Sequence, residues 1–209
     1  MKALLSTTYF GPLQWYQKLY RHEATEIEQW ESFLKQTYRN RCLIATTQGI
    51  QALTVPIERG TSQLIRDIRI SDHGNWRHLH WNALVSAYSE SPFFEYYQDD
   101  IRPFFENRWD YLFDFNEAIR EKMCELLDIQ PKVTFSSTYH HPADISLTSH
   151  LLPLTSDYRE AINPKHPLPD PDFVPKPYYQ VYQQKHGFLS NLSILDLLFN
   201  MGPEGIFYL

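Results

Sequence analysis

Lys35, Arg39 and Arg41 stand close together in the stretch LKQTYRNRC (Leu34–Cys42), with Gln36, Tyr38 and Asn40 set between them. Residues of these types capture anions. Arg offers a planar fork of donors that matches a carboxylate or phosphate, and Lys adds a mobile point charge. On an extended segment Arg39 and Arg41 point to one face and Asn40 to the other. The spacing therefore predicts an anion site in which Gln36 and Asn40 orient the ligand. The competing reading is a pair of surface arginines bridging to Glu26, Glu28 or Asp67.

Proton transfer needs a titratable partner, and the chain has nine histidines. His78 and His80 are two apart, and His140, His141 and the later His150 offer more ring nitrogens. None has the spacing of a metal site: there is no Cys-x-x-Cys, no His-Glu-x-x-His and no carboxylate-histidine facial arrangement. No metal and no cofactor is expected. His80 is kept as a general acid or base, because an imidazole titrates near neutrality. Asp67, within Ile65-Arg66-Asp67-Ile68-Arg69, could orient a catalytic His, although a strand with outward charges has the same alternation. Cys42 beside Arg41 reads either as an activated thiolate or as a buried strand residue, and Cys124 as structural. Asp99 and Asp100 read as a helix cap. G-x-S-x-G, Walker-type and G-x-G-x-x-G loops are absent, and seven glycines leave little room for one. Hydrolase elbows, P-loop enzymes and Rossmann dehydrogenases are therefore disfavoured.

The elements that must position these groups follow from periodicity. Ala3–Phe10 reads as a strand ended by Gly11-Pro12, Leu13–Arg21 as an amphipathic helix, and Ala24–Glu28 as a short strand. Cys42–Thr47 and Ile50–Ile57 suggest a hairpin about Gln48-Gly49, and Leu64–Ile70 a third strand. From Gly74 to Ile129 the pattern is helical, with starts at Ser91-Pro92 and at an Asp114/Glu117 capping box. Lys132–Tyr139 returns to strand, and Ile145–Leu152 suggests a short helix. Six of the 14 prolines fall within residues 163–177, which predicts an extended wrap. A last helix, capped by Asn191 or Ser193, buries Ile194, Leu195, Leu198 and Phe199 and stops at Gly202-Pro203.

The 209 residues fit one domain. With 43% apolar and 21% charged residues the chain reads as soluble and globular. A net charge of -6 argues against nucleic acid as a partner, whose binding depends on a basic surface. No apolar run approaches the ~20 residues of a membrane span. The apolar part of the start is too short for a signal peptide. Two cysteines fit a reducing compartment, so the expected location is cytoplasmic.

Four segments carry a resemblance to a known family: YFGPLQWYQKL (Tyr9–Leu19), KQTYRNRCLI with LTVPIE (Lys35–Ile44 and Leu53–Glu58), HWNALVSAYSESPFFEYY (His80–Tyr97) and GFLSNLSILDLLFNMGPE (Gly187–Glu204). In that order they resemble the WbqC-like proteins of bacteria, with the last segment the most specific. The resemblance implies a role in surface-polysaccharide, O-antigen-type metabolism, near nucleotide-sugar or acyl-group chemistry. Many relatives carry an early H-x-P-x-Y-L-P-W signature. Here the corresponding stretch is Leu5–Pro12, and Leu5 stands at the His position.

The expected fold is a single α/β domain spanning the chain, a mixed sheet of about five or six strands covered by helices. The expected function is group transfer on an activated, anionic small molecule such as a nucleotide-linked sugar. Lys35, Gln36, Arg39, Asn40, Arg41 and Tyr9 hold the substrate, and His80 and Asp67 are catalytic. The alternative is a non-catalytic assembly protein that presents the aromatic-rich stretch 92–115 to a partner. Homo-oligomerisation stays open under either.

Overall fold

The computed structural model describes residues 1–58, 60, 63–141 and 155–209. The short helix expected at Ile145–Leu152, and His150, lie outside the described residues.

Apolar Ala3 and Leu5 alternate with Lys2, Leu4 and Ser6 along β1 (Lys2–Ser6). The helix α1 (Leu13–Arg21) follows, and the chain returns as β2 (Ala24–Glu28) beside β1. Beyond Ser6 it leaves the sheet. The expected strand is therefore shorter, and Phe10 sits at φ 41° just before the helix. With β5 (Val133–Phe135) and β6 (Thr155–Asp157) these strands make a parallel sheet in the order β5-β2-β1-β6. The register places Leu5 beside Ile27, Ser6 beside Glu28, and Leu4 between Glu26 and Asp157. Alternation then gives the sheet two unlike faces. Ala3, Leu5, Thr25 and Ile27 form one, fully buried. Ser6, Glu26, Glu28 and Asp157 belong to the other.

The expected hairpin is present as β3 (Arg41–Thr46) and β4 (Gly49–Thr54), antiparallel and separate from the four-stranded sheet. The α/β class holds, with the described strands divided between two sheets. The third strand expected at Leu64–Ile70 is not one. It is a 3-10 turn at Ile65–Asp67 flanked by single bridges, which pair Ser32 with Leu64 and Ile57 with Ile70. Ile65 and Ile68 are buried three residues apart, which is the period of that turn.

The helices are α2 (Trp76–Tyr88), α3 (Phe94–Ile101), α4 (Pro103–Glu106) and α5 (Leu112–Leu126). The Asp114/Glu117 box does not start α5, because Tyr111 is its N-cap. Phe93, rather than the Ser91-Pro92 pair, precedes α3. Asp99 and Asp100 lie inside α3 instead of capping a helix. The stretch 92–115 is not an exposed aromatic face. Phe94, Tyr97, Phe104, Phe105, Phe113 and Phe115 are all buried, whereas Tyr96 stands out into solvent.

Residues 163–177 carry no helix or strand, as their prolines require. They are pinned by Asp170, which accepts from Lys18 Nζ at 2.9 Å and Gln14 Nε2 at 2.8 Å. After the short α6 (Gln183–His186), Ser193 Oγ accepts from the Leu195 amide at 3.3 Å and caps α7 (Ile194–Met201). Ile194, Leu195, Leu198 and Phe199 are fully buried. The α-helix stops at Gly202-Pro203 as expected, and the chain continues as a 3-10 turn to Tyr208. Glycine is needed there: φ is +53°, and a Cβ would meet the Phe93 ring at 2.6 Å. Among the described residues no helix is long and apolar enough to cross a membrane.

Candidate functional site

Residues 35–40 are turn, with Gln36 at φ 62°, and β3 begins only at Arg41. Arg39 and Arg41 therefore do not share a strand face. Arg39 turns inward. Its Nε and Nη2 donate to the Glu31 carboxylate at 2.8 and 2.5 Å, and Nη2 also donates to Ser6 Oγ at 2.9 Å. Both partners of this pair are buried, so Arg39 belongs to the framework and not to an anion site. The bridge anticipated for the arginines exists, but its acid is Glu31.

Arg41 and Lys35 face the other way, onto an open groove of about 1150 Å³ that Gln36, Asn40 and His73 also line. Arg41 Nε donates to Thr54 Oγ1 at 3.0 Å. Gln36 Oε1 accepts from Lys165. Among the described residues no carboxylate lies within ion-pair distance of Lys35 or Arg41, although Glu58 sits on the same wall. Asn40 is buried. Its Nδ2 donates to the Val55 carbonyl at 2.8 Å, and its Oδ1 has no partner among the described residues. The groove thus offers two cations, while the unpartnered Asn40 Oδ1 is buried out of its reach.

His80 is not at this groove. Tyr9 Oη lies 2.9 Å from His80 Nδ1, and the Thr54 backbone also acts on the ring. Burial lowers the His80 pKa to about 4, against the smaller opposing effect of the Thr54 bond. The ring packs edge-on against Trp76 and Phe105. His80 and Tyr9 are a core pair tying α2 to the segment between β1 and α1. Asp67 lies half-exposed on the 3-10 turn, 3.7 Å from Arg66, and does not orient His80.

The parallel sheet assembles a second group of polar residues that no local motif announced. Glu28, at the carboxyl end of β2, is completely buried. It accepts from Ser136 Oγ at 2.5 Å and from the amides of Trp30 and His140 at 2.9 Å each. His140 Nδ1 lies 3.1 Å from the same carboxylate. Burial pushes the Glu28 pKa up, but these bonds together outweigh it and hold the group below the usual carboxylate range. Arg159, just past β6, donates to both Asp157 oxygens at 2.9 and 2.7 Å and to the His140 carbonyl at 2.8 Å. Next to this cluster is a cavity of about 440 Å³ lined by Trp30, Glu31, Leu34, Tyr139, Asp157 and Arg159. The strand order reverses between β1 and β6, and ligands of open parallel sheets bind outside the carboxyl ends at such a point. The overlooked signal was Glu26 and Glu28 alternating along a strand of a parallel sheet, where both faces are ordinarily apolar.

Cys42 and Cys124 are free and buried. Burial raises both thiols, Cys124 to about 11, so Cys42 is the buried strand residue of the two readings. Among the described residues no group of three or more His, Cys, Asp or Glu could hold a metal ion.

Comparison with known proteins places these observations. The chain is 31% identical over 195 residues to the Uncharacterized protein Rv1507c of Mycobacterium tuberculosis, an alignment covering 85% of this chain and 83% of that protein. No solved structure gives a significant match. The model of the WbqC-like protein family matches residues 7–165, which takes in Glu28, the Lys35–Arg41 turn, His140 and Arg159 but stops short of α7. This chain belongs to the WbqC-like protein family.

Proposed function

We propose that the protein is a group transferase whose donor is an activated, anionic small molecule, such as a nucleotide-linked sugar, held in the groove of Lys35 and Arg41. The observation that carries this is the pairing state of the basic residues. Arg39 is neutralised by Glu31, whereas Arg41 and Lys35 face an open groove with no described carboxylate on them. The groove's volume of about 1150 Å³ matches a nucleotide-sized ligand. Two charge-assisted bonds of about 1.5–3 kcal/mol each do not by themselves exceed the cost of association, so binding also needs the rest of the ligand to bury surface in the groove. A net charge of -6 gives no long-range attraction, so affinity must come from this local geometry.

The test is calorimetric titration with inorganic phosphate, nucleotide sugars and acyl-coenzyme A. It is run on wild type, Arg41→Lys, Arg41→Ala and the Lys35→Ala/Arg41→Ala double variant. Binding to wild type that weakens in Arg41→Lys and disappears in the double variant is expected, since Lys lacks the planar fork. No anion bound by wild type, or equal binding by the double variant, removes the reading.

A further inference from the structure

One wall of the groove is a small ribbon, and its register puts the groove's charges in order. Arg41 pairs with Thr54 across the hairpin. Just beyond β4, Ile57 pairs antiparallel with Ile70 on the other side. There the Glu58 amide donates to the Arg69 carbonyl at 3.0 Å and the Ser71 amide to the Pro56 carbonyl at 2.9 Å. Alternation then sorts the side chains. Val55 and Ile70 are buried, and Ile57 packs against the core. Thr54, Pro56 and Glu58, one residue out of step with them, line the groove together with Arg41 and Ser71.

Because the pairing is antiparallel, the chain from Ile70 through Ser71 runs back toward Thr54. His73, two residues further on, still lines the groove and therefore stands toward the Arg41 end. Glu58 stands at the other end, four residues from Thr54, or about 13 Å at the rise of an extended strand. Among the described residues neither the His73 ring nor the Glu58 carboxylate has a hydrogen-bond or ion-pair partner. Glu31, Glu117, Asp157 and Asp170, by contrast, each hold a cation.

We propose that the groove takes a dipolar ligand, an amino-bearing phosphate ester, with its phosphoryl group over Thr54 between Arg41 and His73 and its amino group at Glu58. This rests on the anion reading of the groove and adds the ligand's second end. Thr54 Oγ1 accepts from Arg41 Nε, which leaves the Thr54 O–H and the terminal guanidinium nitrogens to donate to phosphoryl oxygens. The imidazole of His73 supplies a further N–H from the opposite side. A polyanion laid along the whole groove would bring its far end against Glu58, whereas an ammonium group there meets an opposite charge. A free α-amino acid, whose two charges share one carbon, cannot span the ends. A nucleotide-linked amino sugar belongs to the class that can.

The probes are inorganic phosphate, alkyl phosphates and ω-aminoalkyl phosphates of matched chain length, titrated calorimetrically into the full chain. In wild type the terminal amine should tighten binding about three- to fivefold, the strength of an exposed ion pair, once the chain is long enough to span the two ends. Ethanolamine phosphate, which is too short, should gain nothing over ethyl phosphate. Glu58→Gln should abolish the amine's advantage and leave the alkyl phosphates bound at least as well. His73→Ala should weaken every phosphate ester alike and keep that advantage. If wild type binds phosphate but prefers no amine at any length, or if Glu58→Gln keeps the preference, the dipolar reading falls and the anion groove stands. If His73→Ala binds every phosphate as wild type does, the placement of the phosphoryl group is overturned. If wild type binds none of the probes, the groove reading itself falls and takes the dipolar ligand with it.

Discussion

Arg39→Ala should destabilise the protein severely without being a ligand-binding mutation. Arg39 and Glu31 are each about 5% exposed, joined by two bonds at 2.8 and 2.5 Å, and Ser6 Oγ bridges them. Truncating Arg39 leaves the Glu31 carboxylate buried with only Ser6 as a donor from this trio. Breaking a buried pair in this way costs about 3–5 kcal/mol, mostly the desolvation of the stranded charge. A urea slope of about 2 kcal/mol/M turns that into a midpoint lower by about 1.5–2.5 M. The assay is urea unfolding of wild type, Arg39→Ala, Glu31→Ala and the double variant. Each single variant should lose the full amount, and the double variant far less than the sum, because no charge is then left unpaired. If Arg39→Ala unfolds within about 0.5 kcal/mol of wild type, or if the two losses simply add, the pair is not the buried unit described.

Two further outcomes are expected. His80 should stay neutral from pH 8 down to about 4, visible as an unshifting imidazole resonance. Its folded pKa lies below the ordinary 6.5, so the unfolded chain binds the proton first. The stability it contributes is complete above about 6.5 and is lost as pH falls toward 4, amounting to about 3 kcal/mol. His80→Phe should flatten that part of the pH profile, and an unchanged profile would contradict the assignment. Leu198→Ala should cost about 2–5 kcal/mol in thermal unfolding, since Leu198 is fully buried on α7, and a wild-type melting point would show that helix to be peripheral.

Local pattern alone was enough for the elements whose signals are local. Leu13–Arg21 is the helix that its periodicity demands, the Thr46–Gly49 turn closes the hairpin, and Ser193 caps α7. Six prolines kept residues 163–177 out of any regular element. In each case hydrophobic spacing, a capping hydroxyl or a missing amide hydrogen acts within a few residues.

What each charged group faces was decided elsewhere. Arg39 and Arg41 look equivalent in LKQTYRNRC, yet a turn at residues 35–40 sends one to Glu31 and leaves the other at the groove. His80 looked titratable because its sequence neighbours do not reveal Tyr9, 71 residues away, or the burial that holds it neutral. Glu28 and His140 meet across 112 residues, and only because β5 pairs with β2 in a register that brings Ser136 and the following loop over the Glu28 carboxylate. The sequence by itself determined which segments are helix, hairpin or extended wrap, and that the chain is an α/β protein. Strand order, register and the burial they impose determined which charges are locked together and which remain available, because electrostatic partners are set by distance in space and desolvation, and neither quantity is written in local spacing.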